Sequence, residues 1–168
     1  MADYHRTYRL DPTPIATGGQ ATVTRAVHRR TGQECALKVR GMGNAEAADR
    51  MRREIDVQSS IEHPHVMPIL DRDDAYSWFT MPLAVEPLNG ISVPIGQALL
   101  KTILTQTIDG LQAAHERGFV HRDIKPSNIL RLNDEQGGPL GSGRLGDRKA
   151  TSRCHNFRSH SYRRDAWH

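Results

Sequence analysis

The stretch HRDIKPSNIL at positions 121–130 concentrates reactive groups in a short polar segment. It places the carboxylate of Asp123, the ammonium group of Lys125 and the carboxamide of Asn128 within six residues. Together they offer a proton or hydrogen-bond acceptor, a positive charge, and an amide that both donates and accepts hydrogen bonds. The simplest alternative is a polar turn that follows a helix.

The spacing in this stretch resembles the catalytic loop of the eukaryotic-type (Hanks-type) serine/threonine protein kinases. The match covers five positions: His121, Arg122, Asp123, Lys125 and Asn128. The resemblance implies transfer of the ATP γ-phosphate to serine or threonine of a protein substrate, which depends mainly on positioning and charge neutralisation. It further implies that Asp123 orients or accepts the substrate hydroxyl proton, that Lys125 contacts the γ-phosphate and that Asn128 holds Mg²⁺. A lysine two residues after the aspartate is typical of the Ser/Thr branch.

A second lysine lies upstream in a segment with strand-like composition. Ala36-Leu37-Lys38 resembles the family's strand that carries the ATP-binding lysine. In the family this lysine contacts the α- and β-phosphates and a glutamate of the following helix. Glu54, sixteen residues later, is the candidate partner, so the resemblance adds Lys38 and Glu54 to the catalytic residues. Taken singly, a lysine at a strand end and a glutamate on a helix are usually solvated surface residues.

Further segments resemble the parts of the family that hold the nucleotide. WFTMPLA resembles the adenine-binding strand and hinge, with Met81 as gatekeeper; an edge strand ended by proline is the alternative. The glycine-rich phosphate lid aligns with ATGGQA at 16–21, where only the middle glycine is kept. Alanine restricts the approach of backbone to phosphate, so a loose lid is expected. The residues implied to contact ATP are Ile15, Gly18, Gly19, Val23, Ala36, Lys38, Met81, Pro82 and Ala84.

Two sequence features could indicate metal binding: an aspartate near the end of the chain and a pair of histidines. The family chelates its main Mg²⁺ with an aspartate that precedes Phe-Gly. Asp147, 19 residues after Asn128, is the candidate here, but no Phe-Gly follows it and a polar loop residue is the alternative. His63 and His65 flank a proline, as in a similar turn of the family, and two histidines without nearby cysteine or acidic ligands make a poor zinc site.

Hydrophobic patterning predicts the elements that position these residues. Strands are predicted for ATVTRAVH, ECALKV, VMPIL at 66–70 and YSWFTMPLA, while residues 1–13 fit a leading strand or a loose arm. A hairpin turn is predicted at Thr31-Gly32. Helices are predicted over AEAADRMRREIDVQSSI and over 95–117, the latter ended by Gly118. The expected fold is therefore α+β and protein-kinase-like: a five-stranded antiparallel N-lobe sheet with one main helix, followed by the start of a helical C-lobe.

This fold predicts a division of the chain into three parts. Residues 8–84 are expected to form the ATP-binding N-lobe, and 85–132 the hinge exit, long helix and catalytic loop of an incomplete C-lobe. The segment 133–168 is atypical and basic, and is expected to be disordered; from 148 to 168 it carries six Lys/Arg and one acid. Either it is a natural disordered tail, or the reading frame changes near codon 139. If the coding sequence is read one base forward from there, codons exist that encode the observed residues in one frame and Asp-Trp-Gly in the other. Asp-Trp-Gly resembles the family's metal-binding motif.

Composition narrows the class of protein and its partners. The 168 residues, 37% hydrophobic and 25% charged, fit a soluble globular domain. The absence of a long apolar stretch or secretory signal predicts a cytoplasmic protein without a membrane segment. Cys35 and Cys154 are accordingly expected as free thiols. Nucleic-acid binding is not expected, because the basic tail lacks aromatic residues arranged for stacking.

Two functional hypotheses stay open. The first is a serine/threonine kinase that uses ATP and Mg²⁺ on a protein substrate. The alternative is a catalytically inactive, truncated kinase fragment that at most binds nucleotide or a partner. In a truncated chain the helix at 95–117 should expose an apolar face, including Leu99 and Ile103, and so favour self-association.

Overall fold

The computed structural model describes residues 3–41 and 45–132, together with the backbone of 153–155. Asp147 lies outside the described residues, as do most of the expected tail at 133–168 and the side chain of Cys154. The roles and the disorder expected for these residues therefore stay predictions.

A five-stranded antiparallel sheet forms the first half of the described chain, as the sequence predicted. After a short helix α1 (Tyr4–Thr7), the strands are β1 (Tyr8–Thr17), β2 (Ala21–His28), β3 (Glu34–Arg40), β4 (Asp71–Arg72) and β5 (Trp78–Pro82). Their spatial order is β1-β2-β3-β5-β4. Gly32 has a φ of +74° between β2 and β3, which only glycine adopts without strain, so the hairpin turn lies where it was predicted.

Helix α2 (Ala45–Ser60) packs on one face of this sheet. Met51 and Ile55, one turn apart, join Phe79 and Met67 in the core between helix and sheet. A second cluster, which includes Leu37 and Trp78, covers the opposite face, called the outer face below. Because strand side chains alternate, Ala36 and Lys38 point to the helix side of β3, whereas Cys35 and Leu37 point to the outer face.

The strand predicted over 66–70 is wrong. The strand of this region is β4, which begins one residue after the predicted range ends and lies opposite Thr80 and Phe79 of β5. Met67 is fully buried, which accounts for the apolar signal, but Pro68 has no N–H to donate to a ladder. The first hydrogen bond to β5 is therefore made by Leu70, whose N–H donates to the carbonyl of Thr80 at 2.8 Å.

The second half begins with a strand β6 (Glu86–Pro87) and contains the long helix α3 (Gln97–His115), as predicted. Gly118, at a φ of +76°, follows the helix end. Short 3₁₀ turns lie at Leu88–Gly90 and Pro126–Asn128. Strand β7 (Leu130–Leu132) pairs with β6 and with β8 (Arg153–His155) in a three-stranded sheet that the sequence did not predict.

The apolar face of α3 is divided between core and surface. Ile103 is buried against Ile129 with Leu99 beside it, so the expectation that these α3 residues are exposed is wrong. The exposed apolar residues of the helix are instead Leu100, Leu104 and Ile108. Self-association through this face stays a prediction. None of the helices in the described ranges is long and apolar enough to cross a bilayer.

Candidate active site

A buried ion pair joins the sheet to helix α2. The ammonium nitrogen of Lys38 lies 2.6 Å from both carboxylate oxygens of Glu54, and the two side chains are only 7% and 6% exposed. Lys38 also lies over the ring of Phe79, its register partner on β5, at 5.5 Å from the ring centroid. The ion pair that the resemblance implied is therefore present in the structure, with its cation on the helix side of β3.

A buried apolar cluster lies beside the ion pair, and the part of it formed by Val23, Ala36, Met81 and Leu130 is called the apolar slot below. Val23, Ala36 and Met81, three of the residues predicted to contact ATP, belong to one buried cluster. Leu130, two residues after Asn128, packs in the same cluster, although sequence analysis gave it no role. The only feature of the sequence that pointed to Leu130 was its apolar character just after the polar loop. Apolar residues of this kind occur in any buried strand, so this feature did not indicate a binding site. Branched and flexible apolar side chains of this kind can enclose a flat ring.

The hinge and the lid border this slot. Leu83 and Ala84 are partly buried against the cluster, and the backbone groups of Ala84 make no backbone hydrogen bond within the described ranges. In the lid, the N–H of Gly18 donates to the carbonyl of Ala21 at 3.0 Å, which closes a turn. Ala21 packs against the core, so this alanine gains apolar contact where the family has glycine.

The remaining predicted lid residues are more open. Ile15 on β1 is 54% exposed, and a Cβ added at Gly19 would meet no atom within 4 Å. Neither Gly18 nor Gly19 has a positive φ. These glycines therefore leave space above the turn and are not required by its backbone conformation.

Asp123, Lys125 and Asn128, which were predicted to belong to a catalytic loop, form one contact network. The Lys125 ammonium group lies 2.9 Å from Oδ2 of Asp123. The buried Asn128 donates from Nδ2 to the same oxygen at 3.0 Å and to the Asp123 carbonyl at 2.8 Å. Its hydrogen bond with Lys125, aided by Asn128, holds the pKa of Asp123 below its usual range. Asp123 is thus ionised at neutral pH and partly open to solvent.

Two neighbouring residues fix the shape of this loop. His121 is 1% exposed, and burial lowers its pKa to about 4, so its ring is neutral near pH 7. Its Nδ1 accepts a hydrogen bond from the N–H of Asp123 at 3.3 Å. Arg122 has a φ of +60°, a left-handed conformation that costs energy in residues other than glycine. A buried histidine on one side thus supports a strained backbone just before the carboxylate.

Strand β7 ties the loop to the hinge and the slot. The carbonyl of Arg131 accepts from the N–H of Val85 at 2.8 Å, and the Arg131 guanidinium forms an ion pair with Glu86. Leu130 and Leu132, on either side, are buried with the slot residues. The loop carrying Asp123 and the slot beside Lys38 are consequently parts of one packed unit.

The protein kinase domain family matches residues 12–147. The chain is 34% identical over 134 residues to the probable serine/threonine-protein kinase pknA2 of Bifidobacterium longum, covering 71% of the chain and 17% of that protein. It is 35% identical over 137 residues to the serine/threonine-protein kinase PknA of Mycobacterium tuberculosis, covering 73% of the chain and 32% of that protein. The chain therefore spans less than a third of the length of either relative.

Breaking the ion pair from one side should cost more stability than removing both charges. We expect Lys38→Met to lower the free energy of unfolding by about 3–5 kcal/mol, because it leaves a buried carboxylate unpaired. The double variant Lys38→Met, Glu54→Leu should recover most of this loss. Urea unfolding followed by circular dichroism measures both. Exposed Lys101→Met is the control, and a double variant no more stable than the single one would contradict the prediction.

Acid should weaken the fold through His121. The unfolded chain protonates this ring near pH 6.5 but the folded chain only near pH 4, so stability is lost as the pH falls between these values. Between pH 7 and pH 4 we expect the wild type to lose about 3 kcal/mol more than His121→Gln. The exposed His115→Gln should behave like the wild type in urea unfolding across this range. Equal losses in the wild type and His121→Gln would refute the assignment.

Proposed function

Because the chain belongs to the protein kinase domain family, we propose that its site binds Mg-ATP and transfers the γ-phosphate to serine or threonine of a protein substrate. The observation that supports this most is the contact network of Asp123, Lys125 and Asn128. Nucleotide binding alone would require a cation and a slot. A carboxylate, a cation and an amide held together at the slot's edge fit phosphoryl transfer.

The protonation state of Asp123 suggests how it acts. Its lowered pKa makes it a weak base, so it serves chiefly to accept a hydrogen bond from the substrate hydroxyl and aim that oxygen at the phosphate. Lys125, 53% exposed, can turn from Asp123 towards the transferred group and neutralise its charge. Positioning and charge neutralisation supply most of the catalysis in this reaction class.

The residues present fit a nucleotide. The apolar slot of Val23, Ala36, Met81 and Leu130 would enclose adenine, and the backbone of Pro82 and Ala84 would bond its edge. Lys38, held by Glu54, would contact the phosphates. The loose lid formed by Ile15, Gly18 and Gly19 predicts weak affinity, because the family's other glycines are replaced by alanine.

The donor set also fits Mg²⁺, which takes oxygen ligands. Asn128 would offer Oδ1, since its Nδ2 already donates to Asp123. Asp147 is proposed as the second ligand, although it lies outside the described residues. Bound Mg²⁺ would offset the negative charge of the phosphates during transfer.

We further propose that 8–84 form the ATP-binding lobe and 85–132 the beginning of the substrate lobe. The alternative function, an inactive fragment that only binds nucleotide or a partner, is favoured by the replaced lid glycines. The two functions differ in whether the loop at 121–128 can support transfer when a complete substrate lobe is present.

A chimera tests this distinction. Residues 1–132 of this chain would replace the corresponding part of PknA from Mycobacterium tuberculosis, whose remaining length supplies the rest of the kinase. We expect the chimera to label serine or threonine, but not tyrosine, of a basic protein with phosphate from radiolabelled ATP. Asp123→Asn in the chimera should reduce the rate by at least about a hundredfold, in the range that loss of one positioned acid–base group gives.

The control is Asp109→Asn, an exposed acid on α3, which should leave the rate unchanged. A folded chimera that binds ATP but transfers no phosphate would favour the inactive alternative. Equal rates in the chimera and its Asp123→Asn variant would remove Asp123 from the mechanism.

A further inference from the structure

A cavity of about 220 Å³ lies on the outer face of the sheet, on the opposite side from Lys38. Its walls include Tyr8, Cys35 and Thr80, all buried, and its rim includes His28 and Asp71. The cavity plays no part in the proposed kinase site. It is smaller than the roughly 300–1,000 Å³ of pockets for drug-sized ligands, so it suits a group about as large as one side chain.

Asp71 gives this cavity a negative charge. The lining contains one carboxylate and, among its described residues, no lysine or arginine. The groups that donate to Asp71 are neutral: the Tyr8 hydroxyl to Oδ2 at 2.8 Å, and the backbone N–H of Arg72 to Oδ1 at 2.9 Å. The Arg72 side chain lies over the ring of Tyr76, with 5.0 Å between its guanidinium carbon and the ring centroid. Tyr76 packs against the core on the helix side, so Arg72 points away from Asp71.

Two further polar groups of the lining, Tyr8 and Cys35, are neutral as well. Burial raises the pKa of Tyr8 to about 12 and that of Cys35 to about 11, and the charge of Asp71 adds to both rises. The Nδ1 atom of His28 accepts a hydrogen bond from the N–H of Thr31 at 3.2 Å, which holds the ring in place. The rings of Tyr8 and His28 meet edge to face at 5.3 Å and form an aromatic wall beside the carboxylate.

We infer that this cavity binds an organic cation, an alkylammonium or guanidinium group, with Asp71 as its counter-ion. The carboxylate retains acceptor capacity beyond its two neutral donors, since each oxygen can take more than one hydrogen bond. The aromatic wall of Tyr8 and His28 adds attraction for a cation and covers its carbon atoms. The cation is either a free small molecule or the arginine or lysine side chain of another protein, including a second copy of this chain.

Titration of the full chain with propylguanidinium chloride, at constant ionic strength, tests the inference. We expect saturable changes in the amide NMR signals of Cys35, Asp71 and Thr80. Asp71→Asn should weaken binding about tenfold or more, as loss of a charged hydrogen-bond partner does. Asp74→Asn, an exposed acid in the following turn, should leave affinity within about twofold. Propylurea, a neutral molecule of nearly the same shape, should give no saturable change at equal concentration.

Binding that does not saturate, or that is equal in Asp71→Asn and the wild type, would overturn the inference. If Asp71→Asn melts early, Tyr8→Phe provides a second test. It keeps the carboxylate and the ring and should still bind, so its failure to bind would equally count against the site. Sedimentation distinguishes the sources: an Asp71-dependent dimer that propylguanidinium dissociates indicates a side chain of a second copy, whereas a monomer that still binds indicates another cation.

Discussion

The ion pair between Lys38 and Glu54 is the interaction on which the site depends. Both side chains are almost fully buried, and taking each charge out of water costs several kcal/mol. Their attraction offsets this cost only while the charges remain in contact, so the pair adds little net stability and instead fixes where α2 lies on the sheet. The packing of Met51 and Ile55 supplies the apolar contact that keeps the helix docked. A cation is thereby held beside an apolar slot.

The loop that carries Asp123, Lys125 and Asn128 is positioned by the buried residues at its two ends. The loop at 121–128 has His121 buried at its start and Leu130 buried just beyond its end, and the strained backbone of Arg122 lies between them. Leu130 packs with residues from β2, β3 and β5, so the loop is placed relative to the slot by a shared core. Disturbing that core should therefore shift the loop at 121–128 and the apolar slot together, even where neither Asp123 nor Lys38 is substituted.

Sequence patterns predicted the elements whose signals are local. Lys38 and Glu54 were predicted from the resemblance to the family's ion pair, and α3 from its helical repeat of apolar residues. The strand at 66–70 failed because buried apolar residues have the same pattern whether or not their backbone pairs. The expectation that Leu99 and Ile103 are exposed failed for a related reason: Ile103 is covered by Ile129, which lies far away in sequence.

No local sequence pattern predicted the cavity on the outer face. Its central hydrogen bond joins Tyr8 to Asp71 across 63 residues of chain, and only the folding of β1 and β4 onto the same sheet face brings them together. The same holds for Leu130. Its sequence position marks it only as an apolar residue, and its contact with the slot residues is visible only in the folded core. Roles that arise from long-range packing of common residues are not readable from one sequence.

Calorimetric titration with Mg-ATP tests the central claim most directly, namely that nucleotide binds beside the Lys38–Glu54 pair. The wild-type chain should bind weakly but measurably, and Lys38→Ala should bind at least about tenfold more weakly, since it loses a charged phosphate contact. The double variant Lys38→Met, Glu54→Leu repeats the test without an unpaired buried charge, and exposed Lys101→Ala serves as the control. Equal affinity in the wild type and a folded variant lacking Lys38 would contradict the account.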